Sequence, residues 1–164
     1  MIIRSFNVRD YPAVKNIYQQ GIDTGHATFQ RKAKNWEEWH NSMLSHSRLV
    51  AQENEHILGW AALSPISSRA VYSGVAEVSV YVSTSAQGKG VGQQLLSQLI
   101  LSSEENGTWM LQASIFPENI SSIKLHEKHN FRQVGVREKL GEMHNVWRDV
   151  VLLERRSKVV GILG

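Results

Sequence analysis

Cysteine is absent from the 164 residues. The chain therefore has no disulfide, no zinc–thiolate site and no cysteine nucleophile. Proline is scarce, with three in all, and Pro12, Pro65 and Pro117 each stand where a local pattern starts or stops. No apolar run approaches the ~20 residues of a membrane-spanning helix. The opening MIIRSFNVRD has no apolar signal-peptide core, so a cytoplasmic chain with no membrane partner is expected. Neither sign of charge dominates: 18 Lys and Arg stand against 15 Asp and Glu, for a net charge of +3. These charges are interspersed, so nucleic acid is not an implied partner. The serine-hydrolase G-x-S-x-G and the phosphate loop G-x-x-x-x-G-K-[ST] are both missing. His126 and His129 belong to HEKH, not H-E-x-x-H, and no carboxylate cluster completes a ligand set, so no metal is expected.

What remains is an ordinary globular composition, 41% hydrophobic and 20% charged. The length suits one domain over 1–164 with a sizeable core. One stretch organises it, Ala76 to Gln93. Ala76, Val78, Val80 and Val82 alternate with Glu77, Ser79, Tyr81 and Ser83, the period-2 pattern of a strand. Gln87-Gly88-Lys89-Gly90-Val91-Gly92 follows, and then an apolar helical stripe of Val91, Leu95, Leu96, Leu99 and Ile100. A glycine turn that opens a helix presents unpaired N–H groups at the positive end of the helix dipole. That is an anion cradle suited to a pyrophosphate. The bland alternative is a glycine turn with no ligand. The spacing G-x-G-x-G, mid-chain, is not the dinucleotide fingerprint G-x-G-x-x-G.

Around this stretch the pattern predicts strands at Ile2–Phe6, 48–52 and 57–63, and later at 109–115, from Phe131, and at 146–153. Helices are predicted from Asp10, as a cap with Pro12 in the first turn, and from the Asn35/Glu38 capping box. The second of these carries Trp36, Trp39, Met43 and Leu44 on one side. A further helix runs from about Gly90 to Glu105, ended by Asn106-Gly107, and another starts at Asn119 or Ser121. Gly21 to Gln30 and 66–74 read as loops, and 138–145 as a charged turn region. The tail 155–164 is unassigned. The order is one mixed α/β layer structure, of α/β (α+β) class.

Gln87, Gly90 and Gly92 fill Q/R-x-x-G-x-G/A, the acyl-CoA pyrophosphate loop of the GNAT N-acetyltransferase superfamily, and the element order resembles that fold. Further segments resemble the phosphinothricin acetyltransferase branch: Ala27-Thr28-Phe29-Gln30, Ser64-Pro65…Arg69…Tyr72…Glu77 to Val82, Leu125-His126-Glu127, and Val146-Trp147-Arg148-Asp149-Val150. Arg148 stands in this last segment where the branch has histidine. The resemblance covers residues 2 to about 154. It implies a mixed central sheet flanked by helices, with acyl-CoA in the splay between the fourth and fifth strands. It also implies acetyl-CoA as co-substrate, a homodimer, and transfer to the primary amine of a small amino-acid-like molecule such as phosphinothricin or methionine sulfoximine. The cofactor residues it implies are Val80, Tyr81 and Val82 of the strand, Gln87, Gly88, Lys89, Gly90, Val91, Gly92 and Gln93 of the loop, and Asn119 for the pantetheine arm. For the acceptor it implies Phe29, Arg69, Tyr72 and Glu77.

The residue chemistry agrees in outline. Without cysteine, direct attack of the amine on the thioester is the simplest route. Glu77 shares a strand face with Ser79 and Tyr81 and suits a general base; as an ordinary strand glutamate it would be solvated or paired. Arg69 suits bidentate capture of a carboxylate, against the common surface arginine. Phe29 either walls a substrate pocket or simply packs. His126 either protonates the departing thiolate or is a hydrogen-bonded helix histidine. Rival readings are acetylation of a peptide N-terminus or a polyamine, a non-catalytic acyl-CoA-binding regulatory module, or an α/β domain that binds no CoA.

Overall fold

Strand β1 (Ile2–Ser5) leads through a short 3-10 turn into α1 (Tyr11–Asp23), and a long loop leads to α2 (Trp36–Ser42). Strands β2 (Leu49–Glu53), β3 (His56–Pro65) and β4 (Val75–Val82) form an antiparallel meander. Helix α3 (Val91–Glu105), β5 (Met110–Ile115), α4 (Ile120–Lys128), β6 (Arg132–Met143) and β7 (Val146–Arg156) complete the chain. The computed structural model describes residues 1–163. Its seven strands make one sheet in the order β1-β2-β3-β4-β5-β7-β6, antiparallel throughout except at β4 and β5.

The alternation along β4 sorts its side chains as the pattern predicts. Ala76, Val78, Val80 and Val82 turn toward α3 and join Leu95, Leu96 and Leu99 in the larger core. Tyr81 turns the other way, against Tyr18 of α1 and Trp60 of β3. Here Trp60 and Tyr81 stack with ring centroids 5.0 Å apart. This second core also takes Trp39 of α2, which is 1% exposed. Burying these aromatic faces secures the α1/α2 layer to the sheet, each ring removing some 150–250 Å² from water.

The feature that positions the site is a defect in the sheet. β4 and β5 pair over only three residues, Val75–Met110, Ala76–Leu111 and Glu77–Gln112. Beyond Glu77 the two strands part, β4 running on to Val82 and β5 to Ile115. α3 packs beneath both halves, in one core with Leu63 and Val78 on one side and Leu111, Ala113 and Leu153 on the other.

Several details differ from the sequence reading: residues 21–23 belong to α1 and not to the loop after it, and β7 runs on to Arg156. Asp10 does not cap α1 with its side chain; it closes a capping box with Asn7 in the preceding turn and pairs with Arg4. α2 stops at Ser42, with Met43 already extended, so Met43 and Leu44 pack from the following segment. The 66–74 loop contains a 3-10 turn, Ala70–Tyr72. The region 138–145 is mostly strand: β6 continues to Met143, and the turn is His144-Asn145 alone, both with positive φ. Hairpin turns of that handedness match the twist of the strands. A bulge inside β6 uses four steps, Arg137 to Gly141, against two on β7, with Lys139 at φ 48°.

Candidate active site

The parted strands open a cavity of about 1230 Å³, lined by Val78–Val82 on one side and Ala113–Phe116 on the other. Past the third pair, the main-chain N–H and C=O groups of β4 have no β5 partner. Such unpaired groups at a sheet edge are ready to take an extended ligand.

The cavity runs to the glycine loop. Gly88 and Gly90 lie at φ 75° and 77°, with open space where a Cβ would stand. A side chain at either position would be strained. Gly92 serves packing instead. Its Cβ would sit 3.3 Å from Leu125, so its small size lets α3 and α4 approach. Gly90 occupies the N-cap of α3 and no side chain caps the helix. Its first-turn N–H groups are therefore left for solvent or an anion. Gln87 donates through Nε2 to the Val82 carbonyl at 3.0 Å, fixing the loop against the strand end. Lys89 and Gln93 are exposed beside it. At the far wall, Asn119 caps α4 by accepting from Ser122 N–H, and its Nδ2 donates to the His26 carbonyl at 3.3 Å.

Glu77 stands at the point where the strands separate. Its Oε1 accepts from Gln112 Nε2 at 3.0 Å and from Ser114 Oγ at 2.8 Å. No hydrogen bond engages Oε2 among the described residues. The carboxylate is thus held by β5 with one oxygen free. Glu77 borders the large cavity and also a smaller one of about 170 Å³ on the α1/α2 side of the sheet. Tyr81 is shared by both, its phenol kept protonated by burial.

Phe29 lines the large cavity and packs edge-on against Phe116, with centroids 4.9 Å apart. A Cβ on Gly141 would come within 2.8 Å of its ring, so β6 closes tightly over it. The loop carrying Phe29 is clamped by Arg148, a residue that the sequence marked only as a departure. Its guanidinium donates to the Gly25 carbonyl, His26 Nδ1 and Glu118, and lies 4.0 Å from the Phe116 ring centroid.

His126 lines the cavity wall and is 4% exposed. Its Nδ1 is 2.7 Å from the Ser122 carbonyl. A carbonyl only accepts, so Nδ1 carries the proton. Burial pushes the imidazole below its ordinary pKa, so it is neutral near pH 7. Nε2 is then a buried lone pair with no partner among the described residues. A group in this state accepts a hydrogen bond; it has no proton on Nε2 to give.

Arg69 and Tyr72 fall elsewhere. Both are exposed, the Arg69 guanidinium lies 5.5 Å from the Tyr72 ring centroid, and neither borders either cavity. Within one chain, the structure does not bring them to Glu77.

The family model described as the acetyltransferase (GNAT) family matches residues 11–131. The chain belongs to the GNAT acetyltransferase family. It is 33% identical to a phosphinothricin N-acetyltransferase of Alcaligenes faecalis, over 89% of this chain and 77% of that one. It is 28% identical to an L-methionine sulfoximine/L-methionine sulfone acetyltransferase of Salmonella typhimurium, over 94% and 93%. A GNAT superfamily phosphinothricin acetyltransferase from Sinorhizobium meliloti, solved in complex with acetyl-CoA, superposes with a TM-score of 0.89 at 25% identity, covering 99% of this chain and 91% of that one. In this GNAT chain no group of three or more acidic or histidine side chains converges as metal ligands would, among the described residues. No helix among them is long and apolar enough to cross a membrane.

Proposed function

We propose that this chain is a cytoplasmic N-acetyltransferase that moves the acetyl group of acetyl-CoA to the primary amine of a small amino-acid-like acceptor, of the phosphinothricin or methionine sulfoximine type. The observation that carries the reading is Glu77: a carboxylate with one free oxygen, fixed where β4 and β5 part, between a long cavity and a short one. The relatives' substrates support the acceptor class.

Acetyl-CoA supplies an activated acyl group, a thioester whose sulfur is the leaving group. The shape of the long cavity fits it. Val80, Tyr81 and Val82 present the pantetheine amides with the edge of β4 that β5 leaves open, and Asn119 flanks that arm. Gln87, Gly88, Lys89, Gly90, Val91, Gly92 and Gln93 form the cradle for its pyrophosphate. The acceptor ammonium gives one proton to Glu77 and the resulting amine attacks the thioester carbonyl; the C–N bond forms, the C–S bond breaks, and CoA departs as the thiolate that takes up the second amine proton. A main-chain N–H on the open edge of β4 faces the oxygen on which charge develops. Holding both reactants side by side supplies much of the acceleration. Phe29 walls the acceptor end. His126, a neutral acceptor, is read as a packing and hydrogen-bonding residue and not as the acid.

The active unit is read as a homodimer. The β6–β7 hairpin ends the sheet with an unpaired edge, and Val134, Val136, Val146 and Trp147 on it are 44–58% exposed. Long apolar edges of this kind are usually covered. Sedimentation velocity checks it, a single monomer boundary at all concentrations being the contrary result.

Thiol release from acetyl-CoA with phosphinothricin, methionine sulfoximine, methionine sulfone, ordinary amino acids, short peptides and polyamines tests the function. Turnover confined to the amino-acid analogues is expected. Turnover on peptides or polyamines alone would change the acceptor class, and CoA binding with no turnover would make the chain a regulatory module.

A further inference from the structure

The small cavity beyond Glu77 has a charge pattern that the acetyl-transfer chemistry does not require. Among the described residues, Glu77 is its only acidic lining residue and Lys34 its only cation. Its other walls are neutral, among them Gln30, Ser42, Ser64 and Trp60. At about 170 Å³ it has the volume of about five or six waters, on the scale of a small organic molecule.

Lys34 is placed there by a rigid root. The Ala33 N–H donates to Gln19 Oε1 of α1 at 2.9 Å. The Lys34 carbonyl accepts from the Tyr11 hydroxyl, also on α1. Asn35 then caps α2. Each neighbour of Lys34 is thus fixed to a helix, while its ammonium makes no ion pair among the described residues. Of the two acidic residues that follow it along the chain, Glu37 is exposed and makes no ion pair among the described residues, and Glu38 is engaged with the Asn35 N–H at 3.1 Å. A lysine on the wall of a cavity, with no ion pair among the described residues and across from a carboxylate with one free oxygen, is complementary to a zwitterion.

We propose that Lys34 binds the carboxylate, or other acid group, of the acceptor and sets the enzyme's preference for acidic primary amines. The proposal rests on the acetyltransferase reading above and gives it a recognition residue. The amine lies toward Glu77 and the thioester, and the acid group lies toward Lys34 in the small cavity. Arg69, whose guanidinium would suit the same carboxylate, borders neither cavity.

The test compares L-methionine sulfone with its methyl ester, which keeps the α-amine and removes the charge. Wild type, Lys34→Met, Lys34→Arg and Arg69→Ala are assayed with both amines. Wild type should favour the free acid. Lys34→Met should raise KM for the acid roughly 10- to 100-fold, the worth of one charged hydrogen bond. KM for the ester and for acetyl-CoA should stay within about threefold of wild type. Lys34→Arg, which keeps the charge, should retain the preference and shows that the site still folds. Equal losses on acid and ester, or no loss, would overturn the assignment. So would a preference abolished by Arg69→Ala and kept by Lys34→Met. Wild type that binds acetyl-CoA but acetylates no amine would defeat the acetyltransferase reading itself, a result distinct from the others.

Discussion

Glu77 and His126 show how little a residue's type says until its partners are known. Both are proton carriers by type. The structure gives Glu77 two donors on one oxygen and leaves the other open, whereas it gives His126 a carbonyl on Nδ1 and nothing on Nε2 among the described residues. Glu77→Gln keeps a carbonyl acceptor for Gln112 and Ser114 but cannot take a proton. Its kcat should fall about 10²- to 10⁴-fold, the usual worth of a general base, with KM for acetyl-CoA little changed. Unaltered kinetics would remove Glu77 from the mechanism. His126→Asn preserves a donor toward Ser122 and should leave kcat within about threefold, since it removes only a packing group. A hundredfold loss would restore the histidine as acid. The period-2 pattern of β4 made Glu77 legible before any coordinates, because strand faces follow from alternation alone. Its tethers on β5 were not legible, since they depend on a register some 35 residues away.

At the scale of elements, joints between segments matter more than the segments. Arg148 joins β7 to the loop after α1 and to the turn before α4, and its partners on that loop lie 123 and 122 residues back along the chain. No local pattern announces such a clamp, and the motif it belongs to marked it only as a histidine replaced. Arg148→Ala removes the cation from the Phe116 face and frees Gly25 and His26, at a cost of about 1–3 kcal/mol. Amide exchange through 24–29 should quicken, and KM for the acceptor should rise with kcat less affected; unchanged exchange there would show the loop to be held otherwise. The joint of β1 with α1 has its own signature. The Arg4 guanidinium, then the Asn7 N–H, hold Asp10 below the usual carboxylate range against the opposing effect of burial. A lowered folded-state pKa stabilises above the unfolded value of about 3.9. That stability is lost as pH falls through the folded-state value. Asp10→Asn should therefore be less stable than wild type in urea at pH 7, with the gap closing below about pH 4; a gap independent of pH would deny the charge its part. The glycine loop, by contrast, was readable as a cradle because positive φ restricts the choice of residue. The β6 bulge was not readable, because Lys139 at φ 48° carries no such mark.

As a whole molecule the chain is two half-sheets that meet over three residue pairs. The element order and the glycine loop were enough to anticipate the strands and their helices. The extent of the parting depends on strand pairing between distant segments, which no single stretch encodes. The parting also has a thermodynamic consequence. A ligand lying between β4 and β5 acts as the crosspiece of a truss, tying together halves otherwise joined by those pairs and by α3. Binding should then slow amide exchange on both sides of the gap together, at 78–82 and at 113–115, though the two sit on different strands. The melting temperature should climb with acetyl-CoA concentration, by the equivalent of about 2.7 kcal/mol at a hundred times Kd. Protection confined to one bank of the gap would mean that the truss is closed by the protein alone. With protection on both, the empty enzyme is the looser structure, and its substrate completes its architecture before it reacts.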